Sequence, residues 1–156
     1  MVLYRFDGKA PSTGKETYVS QSAEVIGNVT IGERCYIGPG AKIRGDYGSI
    51  RIGNRTSIEE NCVLHARPGE TCAIGDMVTV GHGSILHNCT VNDYAVIGMG
   101  AIVSDYAVVG VPAKIVGAVS EEYRKLWTRY KNLYAELALK YQKTLEIMKP
   151  EDAESQ

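Results

Sequence analysis

The stretch from Val19 to Ile43, VSQSAEVIGNVTIGERCYIGPGAKI, carries an aliphatic residue at every sixth position. With a few longer or shorter steps, the series continues through sixteen positions, all of them Val, Ile or Leu: Val19, Val25, Ile31, Ile37, Ile43, Ile52, Ile58, Leu64, Ile74, Val80, Leu86, Val91, Ile97, Val103, Val109 and Ile115. A period of six matches neither the alternation of an ordinary strand nor the 3.6-residue period of a helix. It is typical of a solenoid in which each hexad forms one short strand and one corner.

A second column of residues supports this interpretation. Four positions after most of the aliphatic residues stands a small or β-branched one, such as Ala23, Val29, Cys35 and Ala41. We expect the aliphatic residue to point into the core and the small residue to fit beside the tight corner. Three hexads then close one coil, and successive coils stack about 4.8 Å apart. The sequence therefore predicts an all-β protein, a parallel β-helix.

The pattern changes at Ser120, a suitable helix N-cap that is followed by acidic residues. An apolar stripe then recurs every three or four residues, formed by Leu126, Tyr130, Leu133, Leu137, Tyr141 and Leu145. This spacing predicts a helix to about Met148 that packs its stripe along the β-helix, or also over a subunit interface. We expect three segments: the β-helix domain over 1–118, the C-terminal helix of the same structural unit over 119–149, and a frayed tail over 150–156.

Charge and composition narrow the possible partners. The 156 residues include 17 Lys and Arg and 18 Asp and Glu, for a net charge of −1. This balance argues against a broad electrostatic surface for nucleic acid or an anionic membrane. The apolar runs are shorter than the roughly 18 residues that span a bilayer, and the N-terminus lacks the apolar core of a secretory signal. We therefore predict a cytoplasmic protein that binds neither nucleic acid nor membranes.

The three histidines, His65, His82 and His87, lie within one short segment. His65 and His87 each directly follow an aliphatic position, three hexads apart, so we expect them on the same face of adjacent coils. Their imidazoles could then share one Zn²⁺, whose ligand nitrogens lie about 2.0–2.1 Å from the metal. His82 belongs to the neighbouring face, so a third ligand would come most easily from His82 of another subunit. The register thus predicts metal sites at the interfaces of a homotrimer.

Four segments around these histidines carry a family resemblance: Arg44-Gly45-Asp46, Ile52-Gly53-Asn54-Arg55-Thr56-Ser57-Ile58, Val63-Leu64-His65 and Val80-Gly81-His82-Gly83-Ser84-Ile85-Leu86-His87. Together they resemble the γ-class carbonic anhydrases, over about residues 10–141. The resemblance implies a left-handed β-helix of hexapeptide repeats. It also implies a homotrimer that binds Zn²⁺, or Fe²⁺ or Co²⁺, through two histidines of one subunit and one of its neighbour. By the same resemblance Arg44 and Asp46 would form an interface ion pair beside the site.

Such a site indicates a reaction. Three neutral histidines leave one open position on a tetrahedral metal, and a water bound there has a pKa lowered to about 7. A metal-bound hydroxide could attack CO₂ to give bicarbonate, after which another group must carry the proton to solvent. The expected activity is therefore the reversible hydration of CO₂, which makes the protein a lyase.

Glu59 is a candidate catalytic residue. It stands where the carbonic anhydrase family commonly places a Gln that orients the bound water. A carboxylate there could accept the hydrogen bond of that water or serve as a base. Alternation along a strand should point Glu60, the next residue, the other way.

Two further residues, Glu70 and Tyr134, are candidates for catalytic roles. Tyr47 stands where some members of the family carry a glutamate, and Glu70, in the short loop after His65, could supply the missing acid. Tyr134 matches a position where many relatives have a Tyr or Asn near the metal. It could hydrogen-bond substrate or bicarbonate, or it could simply pack.

Other functions stay open on the sequence alone. One is a hexapeptide acyltransferase, which would use a loop histidine as base and bind acyl-coenzyme A between subunits. Another is a metal-assisted thioesterase, because the same hydroxide could attack a coenzyme A thioester. A third is a structural or assembly subunit with a relict site, which the substitutions at Glu59 and Tyr47 keep open. Metal content would separate the acyltransferase from the others.

Overall fold

A computed structural model describes residues 2–104 and 120–144 and shows a parallel β-helix with an α-helix packed alongside. The elements are β1 (Val2–Tyr4), β2 (Ser12–Thr13), β3 (Tyr18–Val19), β4 (Glu24–Ile31), β5 (Tyr36–Ile37), β6 (Lys42–Ile52), β7 (Ser57–Ile58), β8 (Val63–His65), β9 (Thr71–Ile74), β10 (Thr79–Val80), β11 (Ile85–His87), β12 (Thr90–Val91), β13 (Val96–Ile97), β14 (Ile102–Val103) and α1 (Glu121–Thr144). The predicted architecture is confirmed.

The strands stack on three faces of a prism. Face 1 is the five-stranded parallel sheet of β3, β5, β7, β10 and β13. Face 2 contains β1, β8, β11, β14 and the first halves of β4 and β6, and face 3 contains β2, β9, β12 and the second halves of β4 and β6. Because β4 and β6 run across the corner between them, faces 2 and 3 form one continuous sheet.

The core consists of the predicted aliphatic column. Every one of these residues up to Val103 is buried, with an exposed fraction of 6% or less. Small residues fill the corners inside the prism, including Cys35 and Cys62, which are both fully buried. Burying one Val, Ile or Leu contributes about 1.5–3 kcal/mol relative to leaving it exposed. The repeat therefore stabilises each coil in the same way; the last two positions, Val109 and Ile115, lie outside the described residues.

Two corners of the prism use the left-handed region of backbone space in nearly every coil, and the corner between faces 2 and 3 uses it at Gly27, Gly69 and Asn88. At the corner between faces 3 and 1, one residue per coil has φ between 52° and 62°: Glu16, Arg34, Arg55, Met77 and Tyr94. At the corner between faces 1 and 2 the corresponding residues are Gly40, Asn61, Gly83 and Gly100. Glycine and asparagine adopt this conformation readily, whereas other L-residues do so at a cost.

Helix α1 lies across face 1 and runs antiparallel to the stack of coils. Near its start, the Arg124 guanidinium lies 5.1 Å from the ring centroid of Tyr94, in the last described coil. Near its end, the Gln142 side chain donates a 3.0 Å hydrogen bond to the carbonyl oxygen of Thr17. Within residues 2–104 and 120–144, no helix is both long enough and apolar enough to cross a bilayer.

The structure describes the predicted apolar stripe of α1 only at Leu126, which does not pack on the β-helix; the side chains of Tyr130, Leu133, Leu137 and Tyr141 lie outside what the structure describes. Leu126 is half exposed, whereas Lys131 and Ala138 are buried. Successive helix positions turn by about 100°, so Leu126 falls on the side away from these two. The reason is the surface below: Ala138 is small enough to approach the stacked rings of Tyr18 and Tyr36 closely. The stripe's Leu145, the predicted helix end near Met148 and the tail over 150–156 lie outside the described residues.

Candidate metal centre

His65 and His87 are direct register partners on adjacent strands of face 2. Each follows a fully buried leucine, so its own side chain points outward from the prism. Their ring centroids are 5.4 Å apart, and the ring planes are tilted by 36°. Both rings are partly exposed, so this face presents two stacked imidazoles to the outside.

Asp46 fixes the orientation of His65. Its Oδ1 lies 3.0 Å from His65 Nε2 and accepts a 3.0 Å hydrogen bond from the Tyr47 N–H, while Arg44 Nη1 lies 3.4 Å from Oδ2. Burial alone would raise the pKa of the Asp46 carboxyl, but these three groups hold that pKa below its ordinary value. The Arg44–Asp46 pair thus forms within one chain, beside the histidine that the sequence associates with it.

His82 lies at the corner between faces 1 and 2, and its side chain is 49% exposed. Both ring nitrogens contact carboxylates: Nε2 lies 3.1 Å from Glu59 Oε2, and Nδ1 lies 2.5 Å from Glu60 Oε2. Glu60 also accepts a 2.8 Å hydrogen bond from the Tyr36 hydroxyl. The prediction that Glu60 points away from Glu59 is wrong at this ring. β7 ends at Ile58, and both carboxylates stand in the corner, where strand alternation no longer applies.

Glu59 is the more buried of the two carboxylates, with a side chain that is 8% exposed. Its Oε2 also accepts a 3.2 Å hydrogen bond from the His82 backbone N–H. At the opposite end of β10 from His82, Lys131 of α1 donates a 2.7 Å hydrogen bond to the carbonyl oxygen of Val78. Burial lowers the pKa of Lys131 to about 7, and the charge of Glu59 acts in the opposite direction.

Sequence reasoning missed Lys131. On a helical wheel it falls about 110° from the centre of the apolar stripe, outside the stripe, where a lysine suggests a solvated position. The only sequence signal was indirect: a carboxylate on face 1 would need a cation if a helix covered that face.

Of the other residues that the sequence singled out, only Tyr47 lies against a histidine among the described contacts. Glu70 is exposed in the loop between β8 and β9, and in the described part of the chain its carboxylate contacts none of the histidines. Tyr47 is 65% exposed, with its ring edge-on to His65 at 6.3 Å between centroids. Tyr134 lies within α1, and its side chain is outside what the structure describes.

The residues of face 2 fit a metal ion shared between chains. Within residues 2–104 and 120–144, no three His, Cys, Asp or Glu side chains of one chain are grouped to hold an ion. His65 keeps Nδ1 available because Asp46 is at Nε2, and His87 makes no hydrogen bond through its ring within the described residues. A carboxylate at the far nitrogen is the usual support for a metal-binding histidine. One chain therefore offers two imidazole ligands on face 2 and a third imidazole, His82, at a separate corner.

Comparison with known proteins gives matches of three kinds. A family model described as "Bacterial transferase hexapeptide (six repeats)" matches residues 11–45. The Carnitine operon protein CaiE of Escherichia coli O7:K1 (strain IAI39 / ExPEC) is 37% identical over 120 residues, which are 77% of this chain and 61% of that protein. Gamma carbonic anhydrase 1, mitochondrial, of Arabidopsis thaliana is 42% identical over 99 residues, which are 60% of this chain and 36% of that protein. The chain thus matches less than two thirds of the length of either relative.

A solved structure extends the match to nearly the whole chain. The crystal structure of a putative acetyltransferase from Bacillus cereus superimposes with a TM-score of 0.78 at 27% identity, covering 92% of this chain and 98% of that one. The hexapeptide match and the carbonic anhydrase homologue support the left-handed winding of the coils. The chain is therefore a hexapeptide-repeat β-helix protein whose homologues include the CaiE proteins and a γ carbonic anhydrase.

Proposed function

We propose that the chain forms a homotrimer whose interfaces each hold one divalent metal ion, and that this site reversibly hydrates CO₂ to bicarbonate. His65 and His87 of one subunit and the partner subunit's His82 would bind the ion, with Zn²⁺ as the expected metal and Fe²⁺ or Co²⁺ as alternatives. The observation that carries the proposal is the register of His65 and His87, which stacks two outward-facing imidazoles 5.4 Å apart. The 42% identity to a γ carbonic anhydrase supports the reaction.

The surface beside the two histidines suits a subunit interface. Ile85 and Ile102 are register partners on β11 and β14 and point outward from face 2 with exposed fractions of 42% and 46%. Val63, half-buried, precedes them in the same column. Apolar side chains in one column on a protein surface commonly mark an interaction site. A second copy packed here would cover this column and bring its own residues next to the imidazoles.

The chain's own residues can be assigned roles around such a site. A bound divalent ion would act as a Lewis acid that makes water acidic enough to lose a proton near neutral pH. Asp46 would hold the His65 ring in place. His82 contacts a carboxylate at each nitrogen, so one contact must give way for this ring to bind an ion, and the other would orient it. Glu59, which contacts His82, would accept a proton or a hydrogen bond there. The roles of Glu59, of Glu70 in carrying protons to solvent and of Tyr134 in binding substrate stay predictions.

A complementation experiment tests the shared site. The variants His82→Ala and His87→Ala should each bind little metal and hydrate CO₂ slowly. Co-expressed with different affinity tags and purified as mixed trimers, they should regain intact sites, because the first supplies His65 and His87 and the second supplies the partner subunit's His82. A mixed trimer of either composition then has one intact site among its three interfaces.

Metal analysis and stopped-flow CO₂ hydration of the mixed trimers give separate answers. Recovery of both metal and hydration supports the proposal. Metal recovery without hydration would contradict the reaction but not the site. Mixed trimers with no more metal than the single variants would show that the three histidines do not act across an interface.

Acyl transfer is the second candidate function. It is favoured by the family model, which is described as a bacterial transferase, and by the putative acetyltransferase of the same fold. The test measures how fast the protein transfers or hydrolyses the acyl group of acetyl-coenzyme A, with and without bound metal. Equal rates would favour an acyltransferase. A rate that depends on the metal would favour a thioesterase. A metal-loaded protein inactive in every assay would favour a structural subunit. A cytoplasmic location and a lack of nucleic-acid or membrane binding also stay predictions.

A further inference from the structure

Helix α1 places a lysine in a buried position above face 1, at the start of the strand β10 that leads into the corner with His82. Lys131 is only 3% exposed, although a lysine is almost never fully buried unless it is paired. We propose that Lys131 is a positioning residue: its ammonium group serves as the counter-charge of Glu59, and Glu59 in turn holds His82. The docking of α1 on face 1 then helps to set the position of His82 in the candidate metal centre.

The first contact attaches the lysine to the sheet. Lys131 Nζ donates its 2.7 Å hydrogen bond to the carbonyl oxygen of Val78, which also accepts a 2.9 Å bond from the backbone N–H of Ser57. The tip of the lysine therefore reaches the ladder between β7 and β10. The outward side chains there, Ser57 and Thr79, are themselves buried. The ammonium group has left bulk water, and its position is fixed by a backbone oxygen.

The second contact runs from Glu59 to His82. Glu59 comes directly after β7, and its carboxylate bonds both the backbone N–H and Nε2 of His82. A carboxylate this deeply buried is stable as an ion only with a compensating charge and hydrogen bonds. Glu59 lies two residues after Ser57, whose N–H shares the Val78 carbonyl oxygen with Lys131 Nζ, so the carboxylate and the ammonium group stand over the same stretch of face 1. The negative charge of Glu59 raises the pKa of Lys131 against the effect of burial.

The inference concerns contacts within one chain, so it holds whether the site hydrates CO₂ or acts on another substrate. If Lys131 only packed against the sheet, a substitution that keeps its shape would leave His82 unchanged. Methionine has nearly the length of lysine and keeps its apolar contacts but not its charge. Lys131→Met should therefore leave the helix docked and disturb His82 only if the charge matters.

The experiment compares Lys131→Met with Lys125→Met, the same substitution at an exposed position of the same helix. NMR spectra of the ¹⁵N-labelled, metal-free protein are recorded at pH 6, below the pKa of about 7 for Lys131. The readouts are the amide and ring signals of His82. In Lys131→Met we expect these signals to shift while those of His87 stay in place. Lys125→Met should move none of them. Unmoved His82 signals in a folded Lys131→Met protein would overturn the proposal.

A double-mutant cycle supplies an independent readout. Glu59→Gln removes the carboxylate charge with little change in shape, and Lys131→Met/Glu59→Gln removes both charges. We expect the two substitutions to be non-additive, by about tenfold or more in the unfolding equilibrium constant, because each alone leaves one buried charge uncompensated. Additive effects would show that Lys131 and Glu59 act independently and would also overturn the proposal. Lys131→Met alone could fail to fold. In that case, a folded double variant would support the proposal, and a double variant that also fails to fold would overturn it.

Discussion

Gly27 packs directly against Gly45 where β4 and β6 turn the corner between faces 2 and 3. A Cβ added to Gly27 would lie 2.6 Å from the Gly45 carbonyl oxygen and 3.4 Å from the backbone nitrogen of Asp46. The ladder between the two strands shifts register after Gly27, so the backbones approach closely just before the residue that holds His65. This contact connects the stability of the corner to the orientation of a histidine.

Gly27→Ala should therefore be more damaging than an alanine at another left-handed glycine. Gly27 has φ of 75° and Gly69 has φ of 77°, but a Cβ on Gly69 would meet nothing within 4 Å. The backbone conformation alone costs about 1–2 kcal/mol, and the clash adds about 1–3 kcal/mol at Gly27 only. Chemical denaturation should show the larger loss in Gly27→Ala, together with shifted His65 ring signals. Equal losses in the two variants would contradict the close approach.

Lys131 should give the protein a pH-dependent stability. Burial lowers its pKa to about 7 in the folded protein, while an exposed lysine in the unfolded chain has a pKa of about 10.4. Between these values the unfolded chain binds more protons, so the contribution of this group to the free energy of unfolding rises with pH. Denaturation at pH 7 and pH 8.5 should show a rise in the wild type that is smaller in Lys131→Met.

The cysteines are the main complication for that measurement. Burial raises the pKa of Cys35 and of Cys62 to about 11. Above the ordinary thiol pKa the folded protein therefore binds more protons than the unfolded chain, and these thiols lower the free energy of unfolding as the pH rises. Wild type and Lys131→Met share these thiols, so their difference removes the effect of Cys62 and keeps only the part of the Cys35 effect that depends on the charge of Lys131. An identical pH slope in the two proteins would show that Lys131 does not titrate in this range.

Ile85→Glu should weaken the proposed assembly without touching a histidine. The new carboxylate would be buried at the centre of the apolar column on face 2, which is costly for an unpaired charge. Thr90→Glu places the same charge at an exposed position on face 3 and is the matched control. Sedimentation velocity should show dissociation of Ile85→Glu at concentrations where Thr90→Glu stays assembled. Assembly of both variants alike would place the interface elsewhere.

His65→Ala should lower the metal content from about one ion per chain to nearly none, because the site would lose one of three ligands. Tyr47→Phe is a suitable control, since this exposed ring lies beside His65 without a hydrogen bond to it through its hydroxyl in the described contacts. Dialysis against Zn²⁺ or Co²⁺ followed by elemental analysis gives the stoichiometry. A His65→Ala protein that keeps its full complement of metal would exclude this histidine as a ligand.

The repeat made most of the fold predictable. An inward aliphatic position depends only on its place within a hexad, so counting from Val19 was enough to identify buried residues as far as Val103. The packing side of α1 was not predictable in the same way. The stripe showed which side is apolar, but the contact is decided by Tyr18 and Tyr36, more than a hundred residues away, which leave room for Ala138.

In the candidate site, too, the residues within the repeat were predictable and the contacts outside it were not. The alignment of His65 and His87 followed from hexad counting, and the structure places them in register. Glu60 could not be placed by alternation because it stands in a corner, where the direction of a side chain depends on the turn. Lys131 could not be found because its contact with Val78 joins residues far apart in sequence through the docking position of a helix.

The two corners that border face 1 differ in the cost of their left-handed residues. The corner that carries His82 has residues that adopt the left-handed conformation at little cost, namely Gly40, Asn61 and Gly83. The corner beneath α1 has residues with ordinary side chains in the same conformation. There the side chains have a use, since Arg34 pairs with Glu16 and Tyr94 lies under Arg124. Met77 forms no ion pair or ring contact among the described residues, which makes it the natural first position for engineering heat resistance by an asparagine or glycine. Tolerance to heat and the chemistry of the histidines could then be adjusted separately, on opposite edges of one face.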